Sequence, residues 1–331
     1  KASYKPGDKI YWVNRKKAII ASTIGTKDLN EGLRMNGAHI DSPRLDLKPN
    51  PLFEKDEIAY LKPHYYGGIR KYQWGTVPLS MHGVVMKADG ETVEVSIGEK
   101  EGDPQFCVTD LLPHLAAEQN GRKLGEGLKG EELNIIIGSI PYHDEENEKI
   151  KNPAKLLAMK LLNDRYGITE KDFTRAEIEM VPAYKAVDIG LDRGLIGSYG
   201  QDDRVCAYTA LMAEIAAKNP EHTTFTILTD KEEIGSVGNT GLHSDYVHHA
   251  VEDLAESFGA DTKTVLRHSI CLSSDVNAAY DPTFASVYEN RNSSYVNKGC
   301  VLTKYTGARG KSGSSDASAE TMAKVIGIME E

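Results

Sequence analysis

The stretch from residue 225 to residue 235, FTILTDKEEIG, joins a short apolar run to a group of carboxylates. Phe225 to Leu228 is mostly apolar, as is typical of a fully buried strand in a parallel sheet. The acidic residues Asp230, Glu232 and Glu233 follow directly, and open α/β sheets place their ligand sites at the carboxyl ends of strands. Adjacent carboxylates are most often solvated surface charge. The alternative is that one binds a metal ion and the other takes a proton from water.

The segments around this stretch predict an α/β fold interrupted by a β-rich part. Beyond about residue 185, strands alternate with helices, which predicts a mostly parallel central sheet. This region includes a buried strand at 270–272 and a helix that opens at Asp202, with apolar positions at Val205, Leu211, Met212, Ile215 and Ala216. The earlier part predicts strands at 17–24, 32–40 and 133–137, a hairpin of 84–87 with 92–97 around Asp89-Gly90, and a helix from Asn152-Pro153 to Leu162.

Length and composition limit the classes of function. The chain has 331 residues, enough for about two domains. Its net charge of -10 argues against nucleic-acid binding, which needs clustered Lys and Arg. No apolar run reaches the ~18 residues that span a bilayer, so no membrane partner is expected. The four cysteines form no C-x-x-C pair, which is typical of a reducing compartment and predicts a cytoplasmic protein.

Three further segments supply candidate metal ligands. His39 and Asp41, in GAHIDSP (37–43), lie on one side of an extended chain, so the carboxylate can orient an imidazole that binds a metal. Asp202 stands at a helix start, where a carboxylate is most often a cap. Asp275 follows the apolar run at 270–272 and is otherwise an ordinary turn residue. One His with several carboxylates suits a divalent metal with N and O ligands, and two such ions activate water for hydrolysis.

As a set, GAHIDSPRLDLKP, GQDDRVCAY, DKEEIGSVGNTG and SSDVNAAYDP resemble the aspartyl aminopeptidase and aminopeptidase I family of dizinc metallo-aminopeptidases. The resemblance extends through HYYGGIRKYQW, DLLPHLA and KYTGARGKSG, and so covers essentially the whole chain. It implies an aminopeptidase-type catalytic domain, residues 1–53 and 183–331, interrupted at 54–182 by a dimerisation domain. It also implies peptide substrates and dimers that assemble into a tetrahedral dodecamer.

The resemblance further implies a role for each matching residue. Two divalent ions, zinc with cobalt or manganese as alternatives, would be bound by His39, Asp202, Glu233 and Asp275, with Asp202 bridging both. Glu232 would be the general base, and Asp41 would orient His39. His114 would reach into a neighbouring subunit's site and stabilise the oxyanion. The family often has a cis peptide after the bridging residue, here Asp202-Asp203.

One feature departs from the family pattern. The family has a last histidine ligand near its C-terminus, and no histidine follows Asp275 here. We therefore expect these residues to be part of a longer chain, and we keep a catalytically impaired, shell-forming homologue as the alternative. A P-loop protein is a weaker rival: Gly310-Lys311-Ser312 follows a strand-like segment at 300–304, but Tyr305 stands where the motif needs glycine. The sequence does not decide between acidic and neutral or apolar N-terminal residues as substrate.

Overall fold

The structure, a computed structural model, describes residues 4–144, 150–307 and 309–330. The chain divides into two units, Lys1–Asp275 and Val276–Glu331. Ala308, within the motif at 304–313, lies outside the described residues. Every predicted site residue belongs to the first unit.

The described elements follow one another in this order. The strands are β1 (Lys9–Asn14), β2 (Ala18–Thr23), β3 (Arg34–His39), β4 (Arg44–Lys55), β5 (Ile58–Tyr66), β6 (Leu79–Met86), β7 (Thr92–Ile97), β8 (Cys107–Val108), β9 (Ile135–Gly138), β10 (Ala176–Pro182), β11 (Val187–Ile189), β12 (Leu195–Gly197), β13 (Thr224–Thr229) and β14 (Ile270–Ser273). The α-helices are α1 (Ala117–Asn120), α2 (Pro153–Tyr166), α3 (Gln201–Ala216), α4 (Tyr246–Phe258), α5 (Thr262–His268) and α6 (Ala319–Glu330).

The first sheet is mixed, in the order β1-β2-β13-β3-β14. β13 and β14 each pair with β3 in parallel, whereas β1 with β2 and β2 with β13 are antiparallel. A mostly parallel sheet is therefore not confirmed, because the short turn between β1 and β2 permits only antiparallel pairing. The strand at 270–272 exists but is not fully buried. Leu272 is 45% exposed because β14 has a single partner strand among the described residues.

Helices cover both faces of this sheet. Phe225 and Ile227 of β13 point to one face and pack with residues of α4, including Val251 and Leu254. Leu228 points to the other face and packs with Ala207 and Ala210 of α3, as the alternation of side chains along a strand requires. The sheet is thus the middle layer of a three-layer arrangement.

The face of α3 that packs on the sheet is not the one its large apolar residues indicate. Val205, Met212 and Ile215 are exposed, while Glu214 is buried. The carboxylate of Glu214 accepts hydrogen bonds from the hydroxyls of three threonines on β2 and β13, namely Thr23 at 2.6 Å, Thr224 at 2.7 Å and Thr226 at 2.8 Å. These donors offset the cost of burying the carboxylate and join α3 to the sheet.

The second sheet has seven strands, in the order β7-β6-β10-β4-β5-β9-β8, and they pair antiparallel throughout the described residues. The predicted hairpin of β6 and β7 is confirmed. The predicted helix from Asn152 is α2, but Asn152 has a left-handed backbone, with φ 56°, and makes no side-chain capping bond among the described residues. Glu54 instead accepts the amide of Lys155 at 2.8 Å, so a neighbouring strand satisfies the helix start.

The second unit contains the helix α6. The strand predicted at 300–304 is wrong, because these described residues form no strand. The adjoining Tyr305 makes an isolated bridge with Asp316. Among the described residues, no helix has the length and apolar character needed to cross a membrane.

Candidate functional site

The carboxyl ends of the parallel strands bring the predicted site residues to one edge of the first sheet. His39, the last residue of β3, is in register with Thr229, the last residue of β13. β14 ends at Ser273, which pairs with Gly37 of β3. The acidic residues that follow β13 and β14 therefore emerge beside His39, as the sheet geometry predicts.

The side chains converge on the imidazole of His39, which is 3% exposed. Its Nε2 atom lies 3.1 Å from Oδ1 of Asp202, 3.8 Å from Oε2 of Glu232 and 3.8 Å from Oδ1 of Asp275. The peptide bond between Asp202 and Asp203 is cis, as the resemblance implies. Residues separated by more than 200 positions thus surround one buried nitrogen.

Asp41 is the centre of a second network of polar contacts, on the Nδ1 side of the imidazole. Its Oδ1 atom lies 3.2 Å from Nδ1 of His39 and accepts the amide of Glu232 at 3.2 Å. Its Oδ2 atom accepts the amide of Glu233 at 3.2 Å and the hydroxyl of Tyr66 at 2.7 Å. Nδ1 of His39 also lies 3.0 Å from the carbonyl oxygen of Asp41, so Asp41 contacts the imidazole through its carbonyl and its carboxylate, and the carboxylate also fixes the backbone that carries the two glutamates.

The electrostatics show an excess of negative charge around His39. Burial alone would lower the pKa of His39, but the hydrogen bond and charge of Asp41, with the charges of Glu232 and Asp275, raise it to about 9. Burial, and then the charge of Asp202, raise the pKa of Glu233 to about 7. Burial and the neighbouring carboxylates also raise the pKa of Glu232.

Two overlapping groups of donor atoms could hold a metal ion. One is His39, Asp202 and Glu233; the other is His39, Asp203 and Asp275; within each group the donor atoms lie within 4.8 Å of one another. Sequence reasoning did not select Asp203 as a ligand. It is fully buried, and neither carboxylate oxygen has a nitrogen or oxygen donor among the described residues. The thiol of Cys206 is a weak donor that only partly offsets the effect of burial, which raises the pKa of Asp203.

These observations fit a divalent cation. The donors are an imidazole and carboxylates, which suit zinc and similar ions. Burial first, and then repulsion among the carboxylates, raise the pKa of Glu232, Glu233 and Asp203, and a bound cation relieves that repulsion.

The sequence-based selection and the structural site differ at two residues. His114 lies on an exposed turn before α1 and belongs to neither group of donors found among the described residues. Its role in a neighbouring subunit stays a prediction. Tyr66 contacts Asp41 although no sequence signal marked it as functional. The only available signal was its position in HYYGG (64–68), within a motif that carries the resemblance.

Comparison with known proteins identifies the family. Residues 1–329 match the family described as Aminopeptidase I zinc metalloprotease (M18). The chain belongs to this family. The probable M18 family aminopeptidase 1 of Clostridium acetobutylicum is 50% identical over 330 residues, which cover 98% of this chain and 70% of that protein. The corresponding protein of Thermotoga maritima is 48% identical over 327 residues, which cover 97% of this chain and 71% of that protein.

Solved structures of M18 aminopeptidases have the same fold. The crystal structure of the Thermotoga maritima M18 aminopeptidase matches 99% of this chain and 73% of its own, with a TM-score of 0.94 and 46% identity. Aminopeptidase I of Clostridium acetobutylicum matches 98% of this chain and 70% of its own, with a TM-score of 0.92 and 49% identity. The protein is therefore a metallo-aminopeptidase, a hydrolase of a zinc-dependent family.

Proposed function

We propose that this M18 aminopeptidase binds two divalent ions, zinc with cobalt and manganese as alternatives, and removes the N-terminal residue from peptides. The observation that supports this most is the convergence of Asp202, Glu232 and Asp275 within 3.8 Å of the imidazole of His39. Metal ions bound there would hold the substrate's amine, polarise the scissile carbonyl and lower the pKa of water.

The proposed ligands divide between the two ions. His39 and Asp275 would bind one ion, Glu233 would bind the other, and Asp202 would be a ligand of both. Asp41 orients His39 through Nδ1, which leaves Nε2 free to donate its lone pair. Asp203, the buried residue that follows Asp202 in the sequence, is an additional candidate ligand, because it belongs to the same group of donor atoms as Asp275.

Glu232 is the proposed general base. Unlike Glu233, it belongs to neither group of metal donors among the described residues, yet its carboxylate lies 3.8 Å from the imidazole. Its raised pKa makes it a stronger proton acceptor than an ordinary glutamate. Glu232 accepts a proton from water as that water attacks the scissile carbonyl, and it then donates the proton to the departing amine.

A pair of conservative variants tests this division of roles. We expect Glu232→Gln to lower kcat by about two to four orders of magnitude while zinc content stays at the wild-type level. Glu233→Gln is the matched control, since it changes the adjacent carboxylate in the same way but should lower zinc content as well. If Glu232→Gln keeps wild-type turnover, or loses its zinc as readily as Glu233→Gln, the proposed base is wrong.

We further propose that residues 54–182 form a dimerisation domain and that the enzyme is a cytoplasmic tetrahedral dodecamer. A structure of the yeast enzyme mApe1, 21% identical, is described as a dodecamer. In such an assembly the exposed His114 would stabilise the oxyanion in a neighbour's site.

Mixing two inactive variants tests the role of His114. Subunits carrying His114→Ala still have Glu232, and subunits carrying Glu232→Gln still have His114. If His114 acts across subunits, co-assembled variants regain part of the wild-type kcat, because some sites receive both residues. If mixed oligomers stay as inactive as the separate variants, His114 does not act in a neighbour's site.

A further inference from the structure

We propose that Tyr66 is a positioning residue of the metal centre, and that its hydroxyl bond to Asp41 sets the zinc affinity of the site. This inference rests on the proposed metal site. It assigns to the second sheet a direct part in organising ligands that the first sheet carries.

The contact between Tyr66 and Asp41 is short and buried. Tyr66, the last residue of β5, is 7% exposed, and its hydroxyl donates to Oδ2 of Asp41 at 2.7 Å. The other donors to this carboxylate, the amides of Glu232 and Glu233, are each 3.2 Å away. Burial and the charge of Asp41 raise the pKa of the Tyr66 hydroxyl, so it keeps its proton and remains a donor. Tyr66 therefore supplies the shortest hydrogen bond that Asp41 receives from a described residue.

Charged residues of the second sheet pack against the ring of Tyr66. The guanidinium of Arg44 lies 3.8 Å from the ring centroid, a cation–π distance. Arg44 is itself fixed by Asp46 at 2.7 Å and by Glu179 of β10 at 3.1 Å. These contacts leave the hydroxyl little freedom to follow a shift of Asp41.

The residue after Tyr66 packs against a proposed metal ligand. Gly67 has φ +73°, and a Cβ atom there would lie 3.1 Å from Cβ of Glu233 and 3.4 Å from Oε2 of Glu233. Only glycine combines this backbone conformation with so close an approach. The pair Tyr66-Gly67 thus contacts the site twice, once through Asp41 and once beside Glu233.

These contacts predict what the loss of the hydroxyl does. Without it, Oδ2 of Asp41 keeps, among the described residues, only the amide of Glu233, and the carboxylate can rotate away from Nδ1 of His39. Because partners of metal-binding histidines fix the ring orientation, their loss typically lowers metal affinity by about 10–100-fold. We expect Tyr66→Phe to weaken zinc binding by about 10-fold, since Asp41 itself remains.

The test is a zinc competition titration against a chromophoric chelator. Tyr199→Phe is the matched control. The Tyr199 hydroxyl also donates one partly buried hydrogen bond, at 2.8 Å, but its acceptor is the carbonyl of Pro43 rather than Asp41. We expect Tyr66→Phe to bind zinc about 10-fold more weakly and to shift the visible absorption of the cobalt-substituted site. Tyr199→Phe should match wild type in both zinc affinity and cobalt absorption. The melting temperature of each metal-free variant measures any general loss of stability.

Wild-type zinc affinity and an unchanged cobalt spectrum in Tyr66→Phe would overturn the inference. An equal loss of affinity in Tyr199→Phe would also overturn it, because the effect would then not depend on Asp41. If the wild-type enzyme binds no zinc, the proposed function fails together with this inference. If the wild-type enzyme binds zinc and Tyr66→Phe binds it equally well, only the proposed role of Tyr66 is wrong.

Discussion

Removing the metal should make the stability of this enzyme fall as the pH rises, and His39 is the main reason. In the metal-free protein the surrounding carboxylates raise the pKa of His39 from 6.5 to about 9. A group whose pKa is raised by folding stabilises the folded state fully below its unfolded pKa. That contribution is lost as the pH rises through the folded pKa. The window for His39 is therefore from pH 6.5 to about 9.

The size of this stability change follows from the shift in the pKa of His39. A rise from 6.5 to about 9 is roughly 2.5 pH units, and at about 1.4 kcal/mol per unit it corresponds to about 3 kcal/mol. Glu233 acts in the same direction at lower pH: its raised pKa, about 7, means that it destabilises the folded protein increasingly as pH rises from 4.5 to 7. Above pH 7 the slope therefore belongs mainly to His39. Zinc needs the neutral imidazole, so its stabilising effect should grow over the same window.

The assay is urea unfolding of chelator-treated protein between pH 6.5 and 9.5, at one fixed protein concentration. Across this window the free energy of unfolding should fall by about 3 kcal/mol more for wild type than for His39→Asn, because the variant has no imidazole to titrate. His268→Asn changes a histidine outside the site, which contacts the carbonyl of Asn30, and should follow wild type. Equal slopes for wild type and His39→Asn would refute the reasoning, as would a zinc effect that shrinks with rising pH.

Three further substitutions test other parts of the structure. Asp41→Asn should weaken zinc binding by about 10–100-fold in equilibrium dialysis, and unchanged binding would contradict its orienting role. Glu214→Ala removes the carboxylate that accepts from three threonine hydroxyls, so the free energy of unfolding should fall by about 3 kcal/mol. A change within 0.5 kcal/mol, about the limit for a neutral surface site, would show the network to be unimportant. Leu61→Ala, in the core of the second sheet, should cost about 2–5 kcal/mol by denaturant unfolding while zinc affinity stays at the wild-type value.

The sequence predicted that His39, Glu232 and Asp275 lie close together, because each stands at or just after the end of a strand. The apolar run at 225–228 became β13, and the acidic residues after it reached His39 as sheet geometry requires. The cis peptide after Asp202 was predicted only through the resemblance to the family, since no local pattern specifies it.

The sequence failed where tertiary contacts override local pattern. The large apolar residues of α3 predicted its buried face, but the closest approach to the sheet needs small residues, Ala207 and Ala210, and Glu214 found three threonine donors that no sequence period reveals. The sheet is mixed because a short turn joins β1 to β2, although the apolar runs suggested parallel strands. Tyr66 was missed because its partner Asp41 is 25 residues away, in the loop that joins β3 of the first sheet to β4 of the second.

The most direct measurement is a crystal structure of the zinc-soaked enzyme with anomalous diffraction collected at the zinc edge. We predict two anomalous peaks at the carboxyl edge of the first sheet, about 3.5–4 Å apart. Both should touch Asp202, with one beside His39 and Asp275 and the other beside Glu233. A single peak, or zinc bound away from these four residues, would contradict the two-metal site.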